Sequence, residues 1–381
     1  MSGELRPITV TEPHLPPLEE FVPYLERIWS SRWLTNGGPM HQQLETALAA
    51  HLGVGQLALF NNATNGLLTA LQLVKELRGA SRGAEVITTP YSFAATTHTI
   101  EWANLTPVFV DVDPQTFNID ASLIEAAITP RTVAILPVHC YGYPCAVDLI
   151  AKVASRHSLS VVYDAAHAFG VRLNGESLLK YGDLSVLSFH ATKVFNTFEG
   201  GAIVCPDPAS KRRIDQLKNF GIVNDDTIDA AGLNGKMNEV QAAFGLLQLQ
   251  YIDAAIARRR QVDRAYREQL ADIPGILVGQ VPAGVEHNAS YFPVLVQPGL
   301  PLSRDALWAR LQERKILARR YFYPLLSALP MYRDRPSAAP SNLPHASRLA
   351  QQVLCLPIHS GLSDNHVERV VEAIKDCLVR T

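Results

Sequence analysis

The chain has 381 residues, of which 47% are hydrophobic and 18% charged, and its formal net charge at pH 7 is −2. This composition is ordinary for a globular enzyme and argues against a disordered protein, and the length predicts one large and one smaller domain. The near-neutral charge gives no electrostatic reason to expect nucleic acid or an anionic membrane as a partner, although a local basic pocket for a phosphate is compatible with it.

The amino-terminal stretch MSGELRPITVTEPHLPPLEE has neither the apolar segment nor the basic leader of a signal peptide. No later apolar run is long enough to cross a membrane, so we expect a cytoplasmic protein. The five cysteines form no CxxC pair, and their odd number argues against a full disulfide framework. We therefore expect reduced thiols.

Seven short β-rich segments recur between about residues 57 and 205. They are LALF, EVITTP, TPVFVDVD, TVAILPV, LSVVYDAAH, LSVLSF and GAIVC. The segments between the first five fit helices, for example NATNGLLTALQLVKEL. Because strands made almost entirely of Val, Ile and Leu must be buried on both faces, this alternation predicts an α/β fold with a mostly parallel, seven-stranded sheet.

The alternation of β-rich and helix-like segments ends at about residue 235. Val240, Phe244, Leu247 and Tyr251 fall at helical spacing and predict a helix that the charged segment ARRRQVDRAYREQ extends. The remainder alternates strand-like ILVG, YFPVLV and VLCLPI with helix-like segments, which is typical of a smaller α+β domain. We predict a large domain over residues 1–250 and a small domain over residues 251–381, and leave open whether the amino-terminal segment packs elsewhere.

Polar residues just beyond the strands are the first candidates for a site, because ligands of open α/β sheets bind outside the carboxyl ends of the strands. The segment LFNNATNGL places Ala63 and Thr64 where free N–H groups and a helix dipole favour a phosphate, with simple helix capping as the alternative. The segment VVYDAAHAFG ends a strand with Asp164, and His167 follows. A buried carboxylate needs a partner, either a structural one or the protonated ring nitrogen of a cofactor.

Lys193, in SFHATKVFNTFEGGAIV, falls in a turn between two predicted buried strands. A lysine in a desolvated cleft can act as a nucleophilic amine and form a Schiff base with a carbonyl. Pyridoxal 5'-phosphate (PLP) would supply that aldehyde, with its phosphate at the helix start of Ala63 and Thr64 and its pyridinium nitrogen paired with Asp164. The order and spacing of the three features together, rather than any one of them, indicate this cofactor.

These residues resemble the sugar-nucleotide aminotransferases of the DegT/DnrJ/EryC1/StrS family, and the resemblance covers nearly the whole chain. The matching stretches are RWLTNGGPMHQQLETALAAHLG, NNATNGLLTAL, EVITTPYSFAATTHTI, PVFVDVDPQTFNID, VVYDAAHAFG, SFHATKVFNTFEGGAIV and GLNGKMNEVQAAFGLLQL. The resemblance implies the aspartate-aminotransferase fold, called fold type I, and an obligate homodimer with active sites at the subunit interface.

The resemblance also implies roles for individual residues. Lys193 matches the Schiff-base lysine, Asp164 the partner of the pyridine nitrogen and His167 the residue that contacts the ring hydroxyl. Phe93 matches the aromatic residue that stacks on the cofactor ring, although an aromatic residue here is otherwise more typical of a core. The positions that match phosphate contacts are Ala63, Thr64, Ser188 and, from the neighbouring subunit, Asn234. No metal is implied.

Two stretches depart from the family pattern. Lys236 stands where many members have arginine, so a bidentate contact to an anion is lost or replaced by a point charge. The stretch ARRYFYPLLSALPMY replaces the commoner H-Y-x-P-L-H type, where the family recognises its sugar nucleotide. Arg319, Arg320 and Tyr321 are candidates for contacts with the diphosphate or sugar, with exposed arginines on a strand edge as the alternative.

The implied reaction transfers an amino group from L-glutamate to a keto-sugar nucleotide, with pyridoxamine 5'-phosphate formed in between. Within the family, the chain most resembles enzymes that convert dTDP-4-keto-6-deoxy-D-glucose to dTDP-4-amino-4,6-dideoxy-D-glucose, a product used in lipopolysaccharide O-antigen or other glycans. A 3-keto-6-deoxyhexose aminotransferase is the main alternative. Pyridoxamine-dependent sugar dehydratases have histidine in place of Lys193, and a non-enzymatic relative would have lost Lys193 or Asp164, so these residues argue against both.

Overall fold

The computed structural model describes residues 6–379. Its strands are β1 (Ile8–Thr9), β2 (Gln56–Phe60), β3 (Glu85–Thr88), β4 (Thr106–Phe109), β5 (Thr132–Leu136), β6 (Ser160–Asp164), β7 (Arg172–Leu173), β8 (Glu176–Ser177), β9 (Leu184–Ser188), β10 (Gly201–Cys205), β11 (Ile222–Asn224), β12 (Thr227–Ile228), β13 (Ile276–Val278), β14 (Val285–Glu286), β15 (Phe292–Val296), β16 (Ile316–Leu317) and β17 (Val353–Leu356). Its α-helices are α1 (Leu18–Ser31), α2 (Pro39–Leu52), α3 (Ala63–Arg78), α4 (Ala94–Trp102), α5 (Val147–His157), α6 (Pro208–Leu217), α7 (Glu239–Leu249), α8 (Ile252–Leu270), α9 (Arg304–Glu313), α10 (Pro344–Gln352) and α11 (Asp364–Val379).

Two expectations reach past these bounds. Residues 1–5 lie outside the described residues, and they belong to the amino-terminal stretch from which we predicted a cytoplasmic protein. Residues 380–381, the last two of the predicted small domain, also lie outside them. Among residues 6–379, no helix is long and apolar enough to cross a bilayer. All five cysteines are buried and free, as the sequence predicted.

The main sheet has seven strands in the order β2-β10-β9-β6-β5-β3-β4. Its neighbours run parallel except around β10, which is antiparallel to both β2 and β9. The predicted seven-stranded, mostly parallel sheet is therefore confirmed. Six of the seven β-rich segments contain one of its strands, and LALF covers all of β2 except Gln56. The carboxyl ends of β6 and β9 lie side by side at one edge, because Asp164 pairs with Val186 in that ladder.

Both faces of the main sheet are buried, as its strand composition required. Leu57 and Leu59 of β2 belong to a core formed with α2, α5 and α7, whereas Ala58 and Phe60 belong to the opposite core with α3, α4 and α6. Alternate residues of a strand point to opposite faces, so continuous apolar strands supply both cores. Each fully buried leucine or phenylalanine contributes about 1.5–3 kcal/mol.

A third core lies in the carboxyl-terminal part of the chain. The antiparallel sheet β13-β15-β17 packs there with α8, α9 and α11. Strand β1, near the amino terminus, pairs in parallel with β16, which also belongs to this part. The division of the chain into domains at residue 250 stays a prediction.

The single long helix expected after residue 235 is wrong, because the structure has two helices there. Helix α7 ends at Leu249 and α8 begins at Ile252. The Gln250 N–H donates to the Leu247 carbonyl at 3.1 Å, and the Tyr251 N–H to the Gln248 carbonyl at 3.0 Å. These bonds span three residues instead of four, which tightens the last turn of α7 and ends it.

The loop that connects β9 to β10 begins and ends at neighbouring positions of the main sheet. Gly201 pairs with Ser188 on one side and with Phe60 on the other. A Cβ atom on Gly201 would lie 2.7 Å from the backbone nitrogen of Ala63, closer than real Cβ contacts come. The second glycine of the Glu-Gly-Gly step therefore lets the loop that carries Lys193 pack against the start of α3.

Candidate active site

A cavity of about 700 Å³ opens at the carboxyl ends of β6 and β9 and at the first turns of α3 and α4. Its volume lies within the range of small-molecule sites. Seven of the eight residues predicted for the site line it: Ala63, Thr64, Phe93, Asp164, His167, Ser188 and Lys193. The eighth, Asn234, does not line this cavity. The structure thus brings together residues that span 131 positions of the chain, from Ala63 to Lys193.

Lys193 lies in the loop between β9 and β10, where its N–H donates to the His190 carbonyl at 2.9 Å. Its side chain is partly buried and lines the cavity. Burial lowers the pKa of Lys193 to about 8, although the negative charge of Asp164 opposes the shift. Near neutral pH a larger share of this amine is unprotonated than in an exposed lysine, which suits a nucleophile or a proton carrier.

Asp164 is the last residue of β6, and its side chain is buried. The Thr96 hydroxyl donates to its Oδ2 at 2.7 Å, and the Ala166 N–H donates to its Oδ1 at 3.1 Å. Burial raises the pKa of Asp164, while these two donors and the charge of Lys193 act in the opposite direction. A cation placed against Asp164 in the cavity would favour the ionised carboxylate further, as a pyridinium nitrogen requires.

His167 faces the same cavity in a neutral form. Its Nδ1 accepts the N–H of Tyr141 at 3.0 Å, so its Nε2 carries the hydrogen. Burial, and next the charge of Lys193, lower the pKa of His167 well below its ordinary value. A neutral imidazole with one N–H can donate to an oxygen atom on a ligand, which agrees with contact to a ring hydroxyl.

The first turn of α3 combines the capping and anion-binding alternatives left open by the sequence. Asn62 caps the helix, and its side chain accepts the N–H of Asn65 at 2.8 Å. The N–H groups of Ala63 and Thr64 lie in the first turn, where an α-helix offers them no internal acceptor. Both residues line the cavity, as does Ser188 at the end of β9. These groups fit a phosphate at the positive end of the helix dipole.

Phe93 precedes α4, and 64% of it is exposed although it lines the cavity. It is therefore not a core residue, and its ring is free to cover a flat ligand. The cavity lining also includes three aromatic residues from the carboxyl-terminal part, Tyr291, Tyr321 and Phe322. Sequence reasoning missed Tyr291 and Phe322, because no local spacing connects them with residues that precede them by about 100 positions.

Thr96 was also missed, although it is the side chain that binds Asp164 directly. A local signal existed, since Thr96 follows Phe93 by three residues and so lies on the same side of the first turn of α4. A fully buried threonine in the sequence SFAATTH does not reveal its acceptor, which is 68 positions further along the chain.

Asn234 is exposed and lies outside the cavity of its own chain. Its carbonyl accepts a hydrogen bond from the Asn61 side chain at 3.3 Å. Lys236 donates to Asn219 Oδ1 at 2.7 Å, and its ammonium group lies 4.8 Å from the centroid of the Phe220 ring. The phosphate contact expected of Asn234 requires a second subunit and stays a prediction.

The three residues suggested for sugar-nucleotide contacts lie in different environments. Arg319 is exposed, whereas Arg320 donates to Asp305 at 2.9 Å and stacks over Trp308 with its guanidinium carbon 4.5 Å from the ring centroid. Tyr321 lines the cavity. Its carbonyl accepts the hydroxyl groups of Tyr91 and Tyr141, which fixes this segment to the main sheet side of the cavity.

The fold and the cavity define a class of protein in which a lysine, a carboxylate and a helix start meet beside a parallel sheet. The model of the DegT/DnrJ/EryC1/StrS aminotransferase family matches residues 18–375, and the chain belongs to this family. The fold is that of PLP-dependent enzymes of fold type I, and the protein is a PLP-dependent sugar-nucleotide aminotransferase.

Similar proteins cover almost the whole chain. A dTDP-4-amino-4,6-dideoxy-D-glucose transaminase of Shigella dysenteriae is 52% identical over 372 residues, which are 97% of this chain and 99% of that protein. A transaminase of the same name from Escherichia coli is 50% identical over 370 residues, 96% of this chain and 98% of that protein. The crystal structure of DesI, analysed in the presence of its TDP-sugar product, has a TM-score of 0.92 and 39% identity, and covers 99% of this chain and 94% of DesI.

Proposed function

We propose that the protein transfers the amino group of L-glutamate to dTDP-4-keto-6-deoxy-D-glucose and forms dTDP-4-amino-4,6-dideoxy-D-glucose. The observation that carries the choice of substrate is the identity of 52% across 97% of this chain with a transaminase named for that product. The similarity to DesI, whose structure was analysed with a TDP-sugar product, supports a thymidine nucleotide sugar. The product would then enter a glycan such as the O-antigen.

The residues around the cavity fit PLP in size and in the chemistry of their polar groups. When bound, PLP supplies an electron sink for the charge that forms as the Cα–H bond of the amino donor breaks. Asp164 would hold the ring nitrogen, and the Nε2 hydrogen of His167 would bind the ring hydroxyl. The start of α3, together with Ser188, would bind the phosphate, and Phe93 would cover one face of the ring.

Lys193 would move the proton in both half-reactions. Its Nζ takes a proton from the α-carbon of L-glutamate in the first half-reaction and delivers a proton to the sugar carbon that receives the amine in the second. The pKa of about 8 lets the amine exist in both protonation states near neutral pH. The donors Thr96 and Ala166 favour the ionised form of Asp164 and oppose the effect of its burial, which raises the pKa of the carboxyl group.

A homodimer with shared sites is part of this proposal. Phe93 and Trp102 line the cavity and are 64% and 70% exposed, so a second copy of the chain would complete the cover of the site. Asn234 of that copy would reach the phosphate. Subunit complementation tests this: mixed dimers of Lys193→Ala and Asn234→Ala chains contain one site with both native residues. The assay is run at limiting PLP, where Asn234→Ala dimers lose their cofactor. We expect activity to return on mixing there, whereas sites built from a single chain would give no recovery.

Amination at C3 of the sugar is the main alternative, because the residues around Lys193 do not by themselves select a sugar carbon. A pyridoxamine-dependent dehydratase is less favoured, since such enzymes have a histidine where this chain has Lys193 in the cavity. The two alternatives differ from the proposal in how the absorption of the bound cofactor should change on addition of L-glutamate and of dTDP-4-keto-6-deoxy-D-glucose.

The direct test follows the visible absorption of the cofactor-loaded protein during addition of L-glutamate and then of dTDP-4-keto-6-deoxy-D-glucose. We expect the band to bleach with glutamate and to return with the sugar. Bleaching without return would keep the transaminase and reject this acceptor, and the 3-keto isomer would be added next. No change with glutamate, in protein that binds PLP, would reject the proposed amino donor. The Lys193→Ala variant serves as the inactive control.

A further inference from the structure

Three buried oxygen-bearing side chains form a continuous hydrogen-bonded series beside the cavity. Ser92 Oγ lies 2.8 Å from Thr96 Oγ1, and Thr96 Oγ1 lies 2.7 Å from Asp164 Oδ2. Their exposed fractions are 4%, 0% and 5%. All three side chains are therefore largely removed from solvent, and a hydrogen bond in such surroundings is electrostatically stronger than a similar bond on the surface.

The chemistry of the groups fixes the direction of the series. An ionised carboxylate only accepts, so Thr96 must use its single hydroxyl hydrogen to donate to Asp164. Thr96 can then only accept from Ser92, and Ser92 must be the donor in that bond. Both hydroxyl groups therefore stabilise negative charge on Asp164, and Thr96 occupies one side of Oδ2.

The series also joins two parts of the site. Asp164 Oδ1 is held by the Ala166 N–H, so both carboxylate oxygens are fixed from the protein side. Ser92 and Phe93 are adjacent in sequence and both line the cavity with Asp164. Thr96 thus connects the segment that carries the stacking aromatic residue to the carboxylate at the end of β6.

We propose that Thr96 is a positioning residue of this enzyme: its hydroxyl, oriented by Ser92, keeps Asp164 ionised and aimed at the ring nitrogen of PLP. This inference rests on the proposed pairing of Asp164 with that nitrogen. The series acts through Asp164 and does not itself contact the reacting atoms. Loss of the Thr96 hydroxyl removes one of the two donors that hold the carboxylate.

The experiment compares Thr96→Val with Thr97→Val. Thr97 is the next residue of α4 and is also fully buried, but its hydroxyl has no hydrogen-bond partner among the described residues. Both changes replace a hydroxyl group with a methyl group of similar volume. We expect Thr96→Val to weaken PLP binding, measured by equilibrium titration, about tenfold, in line with loss of a hydrogen bond to a charged group, and Thr97→Val to leave it unchanged. Thr96→Ser, which keeps the hydroxyl, should restore most of the affinity.

A cofactor analogue that has carbon in place of the ring nitrogen separates this role from a structural one. If Thr96 acts through Asp164 on the nitrogen, the penalty of Thr96→Val seen with PLP should disappear with the deaza analogue. An equal penalty for both ligands, or no penalty for either, would overturn the inference. Failure of the native protein to bind PLP would instead count against the proposed function, so the two failures are distinguishable.

Discussion

The ammonium group of Lys193 lies 5.9 Å from the centroid of the Tyr291 ring. The two residues come from different parts of the chain, since Lys193 lies in the loop after β9 and Tyr291 lies directly before β15. An aromatic face attracts a cation, but burial of the amine has the larger effect and lowers the pKa of Lys193 to about 8. Tyr291 therefore limits the space in which Nζ can move. Its ring does not keep the amine permanently charged.

Replacement of Lys193 by alanine should abolish turnover and keep the fold. We expect kcat to fall by about 10²–10⁴-fold or more, because the group that moves the proton is removed. Lys180→Ala is a matched control, since it removes a lysine whose only described partner is Glu176, four residues away on the surface. Steady-state kinetics and circular dichroism are the measurements. Native turnover in Lys193→Ala would refute the proposed role.

The apoprotein should become more stable when Lys193 is replaced by methionine. The folded-state pKa of about 8 lies below the ordinary lysine value, so the unfolded chain binds more protons between the two values. Native stability therefore rises with pH in that window, and the cost of the buried amine is full below about pH 8. The advantage of Lys193→Met in melting temperature should be largest at about pH 7 and smaller at about pH 9.5. An advantage independent of pH would contradict the lowered pKa.

Asn234→Ala should weaken cofactor retention and leave the dimer intact. The backbone of Asn234 pairs with Asn219 and accepts from Asn61, and these contacts do not need the side chain. Dialysis followed by measurement of the remaining PLP, together with sedimentation, separates the two effects. Unchanged retention would refute a phosphate contact from the second subunit, whereas loss of the dimer would point to a structural role.

Glu239 should contribute strongly to stability although it is remote from the chemistry. Its buried carboxylate accepts the N–H groups of Met40 and His41, at 2.8 Å and 2.9 Å, at the start of α2. Glu239→Ala leaves both donors buried without an acceptor, so the free energy of unfolding should fall by about 2–4 kcal/mol in urea titrations. Glu239→Gln keeps one acceptor oxygen and should lose less. A loss below about 0.5 kcal/mol in Glu239→Ala would contradict this account.

Arg319 and Arg320 should differ when each is replaced by alanine. Arg319 is exposed, so Arg319→Ala should raise the KM for the sugar nucleotide and leave the KM for glutamate unchanged, if it binds the diphosphate. Arg320 contacts Asp305 and Trp308, so Arg320→Ala should lower the melting temperature and change the KM for the sugar nucleotide less than Arg319→Ala does. Equal KM values in native protein and Arg319→Ala would remove Arg319 from the substrate site.

The sequence predicted the elements whose signals are local. The seven strands of the main sheet are short apolar runs, and Lys193, Asp164 and His167 stand at the ends of such runs. The break between α7 and α8 was not predictable from periodicity, because the apolar pattern continues through it. Helix α7 instead ends where the buried Gln248 side chain donates to the carbonyl of His14, 234 positions earlier.

Contacts between distant segments were likewise invisible in the sequence. Tyr291 and Phe322 join the cavity only after the carboxyl-terminal part has packed against the main sheet, and Thr96 acquires a role only when α4 meets β6. The cross-subunit position of Asn234 and the domain boundary stay predictions, because a single chain contains neither the second subunit nor a direct test of independent folding.

The pairing of Ser188 with Gly201 has a consequence for the motion of Lys193. Residues 189–200 begin and end at one point of the sheet, so the loop is closed by backbone hydrogen bonds before any ligand arrives. Its conformational entropy is therefore lost during folding and not during each catalytic cycle. What remains free is the four-carbon side chain, which can change rotamer without a rearrangement of the loop backbone. The amine can alternate between two positions without a movement of the backbone.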